Sequence, residues 1–251
     1  MAFDKPTRNA LSKMVADCRR LLTDDVREQL QATYGIQPDG TALAVGKLTH
    51  LDDRRLEIAT ALREWLDHLI ASETGAEEQR RKNAFFRMAH EMAFTYLNRL
   101  AALRMCEERG LVIECVRRSM ESDGFVLYER LAGQALGDRG QTYCLFLECM
   151  FDELAVDLGV LFDRRVPHSL VFPSPAGIAE VLQRLNDKSL AHLWQEDETI
   201  GWIYQFFNSQ EERREMRKSR SPRNSRELAV RNQFFTPRYV VEFLTDNSTF
   251  R

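Results

Sequence analysis

From Asn83 to Arg109 the sequence sets Phe85, Phe86, Ala89, Met92, Ala93, Tyr96, Leu97, Leu100 and Leu103 three and four residues apart, and Gly110 follows at once. That spacing is the α-helical one, and glycine is the residue that most often ends a helix. The stripe is too wide for a helix that buries one side only, so other helices must cover it from several directions. The segment is predicted to be the central helix of a mainly α fold.

The flanking sequence supplies candidates for that cover. Leu11, Met14, Val15, Cys18, Leu21 and Leu22 share a helical face, and Thr23-Asp24-Asp25 reads as a capping signal opening a second helix that runs to Tyr34-Gly35. Residues 36–50 combine Pro, Gly and Thr without a period and read as a connection. Asp52-Asp53 opens a helix that aligns Leu56, Ala59, Leu62, Trp65, Leu66, Leu69 and Ile70 and ends near Gly75. Further helices are predicted at about 125–135, 141–161, 176–186 and 198–208. Between them, Val166 to Pro175 contains three prolines, which remove donors and favour extended backbone, so an extended connection crossing the surface is expected.

After Asn208 the composition turns polar and rich in Arg and Ser, with little to bury before Leu228. The expected organisation is a helical N-terminal domain over 1–208, a basic linker or mobile loop over 209–230, and the start of a second domain over 231–251.

Charge is distributed unevenly. Arg213, Arg214, Arg217, Lys218, Arg220, Arg223, Arg226 and Arg231 face only four glutamates between residues 211 and 231, whereas residues 1–210 carry −7. An acidic body attracts nucleic acid poorly, so any phosphate contact is expected from those eight cations. Five cysteines occur without a C-x-x-C pair and are predicted to be buried reduced thiols. No apolar run is long enough to span a bilayer, and Asp4, Asp17, Asp24 and Asp25 interrupt the N-terminus, so a cytoplasmic location is expected.

Several chemistries lack their residues. His90-Glu91 would begin a zinc-protease helix, but Phe94 stands where the second histidine is needed. Gly133, Gly137 and Gly140 lack the context of a phosphate loop, and His50, His68, His168 and His192 are scattered. No metal is expected.

The end of the chain reads Gln233-Phe234-Phe235-Thr236-Pro237-Arg238-Tyr239-Val240-Val241-Glu242-Phe243-Leu244. Thr236 is a good N-cap and Pro237 a good first helical residue, so a helix is predicted to start there with free amides at its mouth. This string resembles the aromatic-Thr-Pro motif that opens the catalytic domain of amino-methylating DNA methyltransferases of the type I and type IIG restriction classes. The segments 93–104 (AFTYLNRLAALR) and 200–208 (IGWIYQFFN) are similar to the N-terminal helical region of the large phage-defence methyltransferases of the BREX and DISARM systems.

The resemblance implies an S-adenosylmethionine-dependent adenine-N6 methyltransferase acting on double-stranded DNA, possessing Phe235, Thr236 and Pro237 as cofactor contacts, with other defence subunits as candidate partners. It also implies what these residues lack: the Gly-rich adenosyl turn and the Asn/Asp-Pro-Pro-aromatic loop are both absent, so no catalytic residue is assigned and the 251 residues alone are expected to be inactive. Absence of any Glu-x-Lys or Asp-x-Lys triplet favours the non-cleaving phage-defence branch. Phe94, Leu97, Leu100, Trp202, Phe206 and Phe207 are expected in the core, while Asn98, Arg99 and Arg104, polar within an apolar helix, are candidates for interdomain hydrogen bonds. The alternative reading is a non-enzymatic helical scaffold of a defence complex, whose Arg/Ser stretch is a solvated tail.

Overall fold

The computed structural model describes residues 3–132, 137–208, 210–218, 221–222, 225–232, 236 and 238–248, without the side chains at 210–212, 215, 225, 226, 238 and 239. Among these residues the fold is mainly α. Its helices are α1 (Lys5–Ala32), α2 (Asp53–Ser72), α3 (Glu77–Glu108), α4 (Asp123–Ala132), α5 (Arg139–Phe162), α6 (Pro175–Leu185), α7 (Thr199–Phe207), α8 (Gln210–Lys218), α9 (Ser225–Arg231) and α10 (Arg238–Ser248). An isolated bridge between Ile36 and Ala42 is the sole β-type pairing among the described residues.

α3 is the spine. Its first half places Phe85, Met88 and Met92 in a core shared with Leu62, Leu66 and Leu69 of α2. Its second half places Tyr96, Leu97, Leu100 and Leu103 in a larger core with residues of α1, α5, α6 and α7. α1 runs beside it and serves both cores, with Leu11, Val15 and Leu22 in one and Val26 and Leu30 in the other. Phe207 and Leu97 are buried as expected, whereas Phe94, Trp202 and Phe206 are half-buried at the core's edge.

α1 is one helix where the sequence suggested two. The reason lies in Asp25, whose carboxylate accepts from the Ser174 amide at 2.9 Å and from the Ser174 hydroxyl. Ser174 is itself the N-cap of α6, accepting from the Gly177 amide at 3.0 Å. The carboxylate that reads as a local cap thus anchors the start of a helix about 150 residues away, and α1 continues past it.

The proline-rich connection also differs from expectation. Its Pro167–Ser169 turn leads into Ser169 and Val171, both buried, so the segment threads through the body instead of crossing its surface. Tyr96 Oη donates to the Ser169 carbonyl at 2.7 Å, and Gln29 Nε2 donates to that of Phe172 at 3.0 Å. Proline dictates the local backbone but not its depth; these two donors satisfy carbonyls that burial would otherwise strand.

A 3-10 segment at Lys188–Gln195, outside the helices expected from periodicity, buries Leu190, Leu193 and Trp194. The stretch expected as a linker or loop contains α8 and α9. The cysteines are free, but burial varies: Cys18 and Cys115 are buried, Cys106 and Cys144 partly so, and Cys149 is exposed. Burial pushes the Cys18 and Cys144 thiols up to about 12, which keeps them protonated and unreactive.

Candidate nucleic-acid interface

α8 and α9 form a hairpin against the body. On α8, Arg214, Arg217 and Lys218 are exposed, while Met216 is buried and Arg213 is half-buried. Residues 214, 217 and 218 fall within about 100° of one another around a helix of 3.6 residues per turn, and 216 points nearly opposite. Three cations therefore share the outer face of α8. On α9, Val230 and Glu227 are buried. Val230 and Ala229 line a small cavity together with an aromatic group of α3 and α7, where Phe94 lies 4.9 Å from Phe207 and 5.5 Å from Tyr204.

The eight cations singled out by sequence divide into different situations. Arg214, Arg217 and Lys218 face solvent. Arg231 turns inward: its Nη2 donates to the Met216 carbonyl and lies 3.3 Å from that of Ser221 and 3.8 Å from the Glu227 carboxylate. Arg217 Nη2 in turn lies 3.3 Å from the Arg231 carbonyl. Arg220 and Arg223 lie outside the described residues, as does the side chain of Arg226.

Beneath the hairpin an open cleft of about 710 Å³ runs between α1, α3 and Met216 of α8. Arg19, Arg20 and Arg87 line it, against Asp17, Asp24, Glu73 and Glu227. Arg87 is held between Glu91 at 2.8 Å and Glu73 at 3.4 Å, and Arg19 donates to the Phe207 carbonyl at 2.6 Å. A lining with four carboxylates and three guanidiniums does not attract a polyanion. The outer face of α8 instead carries the exposed Arg214, Arg217 and Lys218.

The C-terminal motif is described only in part. Thr236 is exposed and lines neither this cleft nor the aromatic group, and Phe235 and Pro237 lie outside the described residues. α10 follows at Arg238–Ser248, with Val241, Phe243 and Leu244 exposed; the expected first helical residue, Pro237, lies outside the described residues. Among the described residues, no group of three or more His, Cys, Asp or Glu is placed to hold a metal ion, and no helix is long and apolar enough to cross a membrane.

Asn98, Arg99 and Arg104 are buried within the body. Arg99 donates to the carbonyls of Leu161 and Asp163 and to the Ser169 hydroxyl, each at 2.7 Å, and lies over the Tyr96 and Phe151 rings. Arg104 pairs with Glu108 at 2.7 Å and lies over Trp194. Their partners belong to the helical body itself. His90, dismissed as a metal ligand, instead meets Asn208 Oδ1 at 3.2 Å and ties α3 to the end of α7.

A second cleft of about 700 Å³, which the sequence reading missed, places Arg54 and Arg55 of α2 and Arg164 and Arg165 after α5 in one lining. The two Arg-Arg pairs were the available signal, but nothing in the sequence says that they meet. Glu148 on its wall bonds Arg164 at 2.5 Å, yet burial holds its carboxyl above the ordinary value.

Fold and charge together define a helical module that carries a basic helical hairpin beside a mostly acidic body. No family model matches the chain, and no solved structure does. It is similar to the adenine-specific methyltransferase PglX of Lacticaseibacillus casei (strain Zhang), with 23% identity over 276 residues covering 96% of this chain. The chain spans 23% of that relative's length.

Proposed function

We propose that these residues form the N-terminal helical part of a site-specific DNA adenine-N6 methyltransferase that uses S-adenosylmethionine and protects host DNA within a phage-defence or restriction-modification system. The observation that carries this reading is the similarity to an adenine-specific methyltransferase across nearly the whole chain, from the helical body to the Thr-Pro string.

In the complete enzyme S-adenosylmethionine supplies an electrophilic methyl group. Phe235, Thr236 and Pro237 would contact it, and the unpaired amides of a helix start beside them would suit an anionic group of the cofactor. The transfer itself needs an Asn/Asp-Pro-Pro-aromatic loop to hold the flipped adenine, and none occurs in these 251 residues. The work of this region is binding and placement. Arg214, Arg217 and Lys218 neutralise backbone phosphates of double-stranded DNA, with Arg213, Arg220, Arg223 and Arg226 beside them; such contacts position the duplex and leave sequence reading to other parts. The protein acts in the cytoplasm, where the host chromosome is its substrate and other defence subunits are its partners.

The test is DNA affinity as a function of salt. Each phosphate contact contributes about 0.9 to the slope of log affinity against log salt, so Arg214→Ala, Arg217→Ala and Lys218→Ala together should flatten it by roughly 2.7. A slope unchanged by the triple substitution removes α8 from the interface. No binding at any salt favours a non-enzymatic scaffold instead.

A further inference from the structure

We propose that Arg231 does not contact phosphate but is the positioning residue of the α8–α9 hairpin, with buried Glu227 as its counter-ion. The inference rests on the reading of α8 as the nucleic-acid contact, yet its structural half stands apart from it.

A helix of nine residues is too short to hold itself in water, and Met216 is the described residue through which α8 is buried. What fixes its last turn is the Arg231 guanidinium. The carbonyls of the last four helical residues have no partner inside a helix, and Met216 supplies one of them. Arg231 Nη2 donates to that carbonyl and also approaches the Ser221 carbonyl in the turn. A cation at this end also opposes the partial negative charge that aligned peptide dipoles leave there. Arg217 returns the contact by reaching the Arg231 carbonyl, so the two helices hold each other through both arginines.

Glu227 completes the argument. Its side chain is 3% exposed, and its carboxylate stands 3.8 Å from Arg231, one turn along α9. A buried carboxylate needs a counter-charge, and a guanidinium with several donors in a fixed plane can serve carboxylate and carbonyls together. A lysine carries the same charge without that fork. The clasp thus presents Arg214, Arg217 and Lys218 as one array.

Two variants separate this role from simple charge. Arg231→Lys keeps the charge, so a phosphate contact predicts nearly unchanged affinity; the clasp predicts amide-exchange protection lost over 210–231, unchanged protection in α1 to α7, and DNA affinity lower by about ten-fold, as for a hairpin ordered about a tenth of the time. Glu227→Gln removes a negative charge, so charge alone predicts tighter DNA binding; the clasp predicts reduced protection of the hairpin and no gain in affinity. Wild-type protection in Arg231→Lys, or tighter binding by Glu227→Gln, overturns the proposal. Should the unsubstituted protein fail to bind DNA, the nucleic-acid reading falls alone, because exchange measured without DNA still decides the clasp.

Discussion

Arg99 and Arg214 both sit on helices of this chain, and their surroundings are opposite. Arg99, on α3, is 1% exposed and donates hydrogen bonds to the Leu161 carbonyl in the last turn of α5 and to the Asp163 carbonyl and Ser169 hydroxyl beyond it, over two aromatic rings. Arg214, on α8, is exposed beside two more cations. In the first setting the guanidinium is a structural cross-link whose value comes from its fork of donors. In the second it is a charge held out to solvent, where pairing within the protein counts for little. The lesson is that an arginine's role follows from what its helix packs against. On α3 a core closes around it, whereas on α8 Met216 is the buried side chain among those described.

The largest effect that can break this comparison is on stability. Arg99→Ala removes the donor shared by the part-buried Leu161 and Asp163 carbonyls and the buried Ser169 hydroxyl and leaves a void beside Tyr96 and Phe151, and should destabilise the protein by about 3–5 kcal/mol, which lowers the melting temperature by roughly 6–20 °C in a chain of this size. Arg214→Ala should change stability by less than about 0.5 kcal/mol. Arg99→Met, which keeps the packing and loses the donors, should fall between them. Equal melting temperatures for Arg99→Ala and Arg214→Ala would erase the distinction.

How far this contrast could be read from sequence depends on the physics involved. The α3 stripe was legible because periodicity records burial directly, and α2, α5 and α6 followed for the same reason. The continuity of α1 was not legible, because a capping signal is chemically the same whether Asp25 serves its own helix or Ser174 in a distant one. The buried course of residues 169–172 was hidden because proline reports conformation and not depth. The stretch holding α8 and α9 read as a linker or mobile loop because its composition is polar, and among its described side chains Met216 and Val230 are the apolar ones that mark a buried side. At the candidate site the run of cations was plain in the sequence. That Arg231 turns inward was not, because its partners are mostly backbone carbonyls, which every residue has.

A smaller effect isolates the hydrogen bonds around the same segment. Tyr96 is buried, and its hydroxyl donates to the Ser169 carbonyl next to the hydroxyl that Arg99 engages. Burial pushes the phenol well above its ordinary pKa against the opposing charge of Arg99, so it stays a donor throughout the usual range. Tyr96→Phe keeps the ring and should cost about 1 kcal/mol in denaturant unfolding, with the slope against denaturant unchanged. A loss as large as that of Arg99→Ala would mean that the hydroxyl, and not the guanidinium, holds the connection. No loss would mean that the Ser169 carbonyl finds another donor.

The smallest effect expected is a dependence on pH. His168 lies in the same connection, half-buried, and burial depresses its pKa below the usual value of about 6.5; Glu91 opposes that shift and Arg99 adds to it. The unfolded chain therefore takes up this proton before the folded one does. Stability contributed by neutral His168 is complete above the unfolded pKa and is lost as pH falls from there through the depressed folded value. Thermal unfolding of the wild type between pH 7 and pH 5 should accordingly show a steeper decline than that of His168→Gln, which cannot charge. Parallel declines would show that the body admits a second positive charge beside Arg99 at no cost, and its core arginine would then differ from the α8 cations by packing alone.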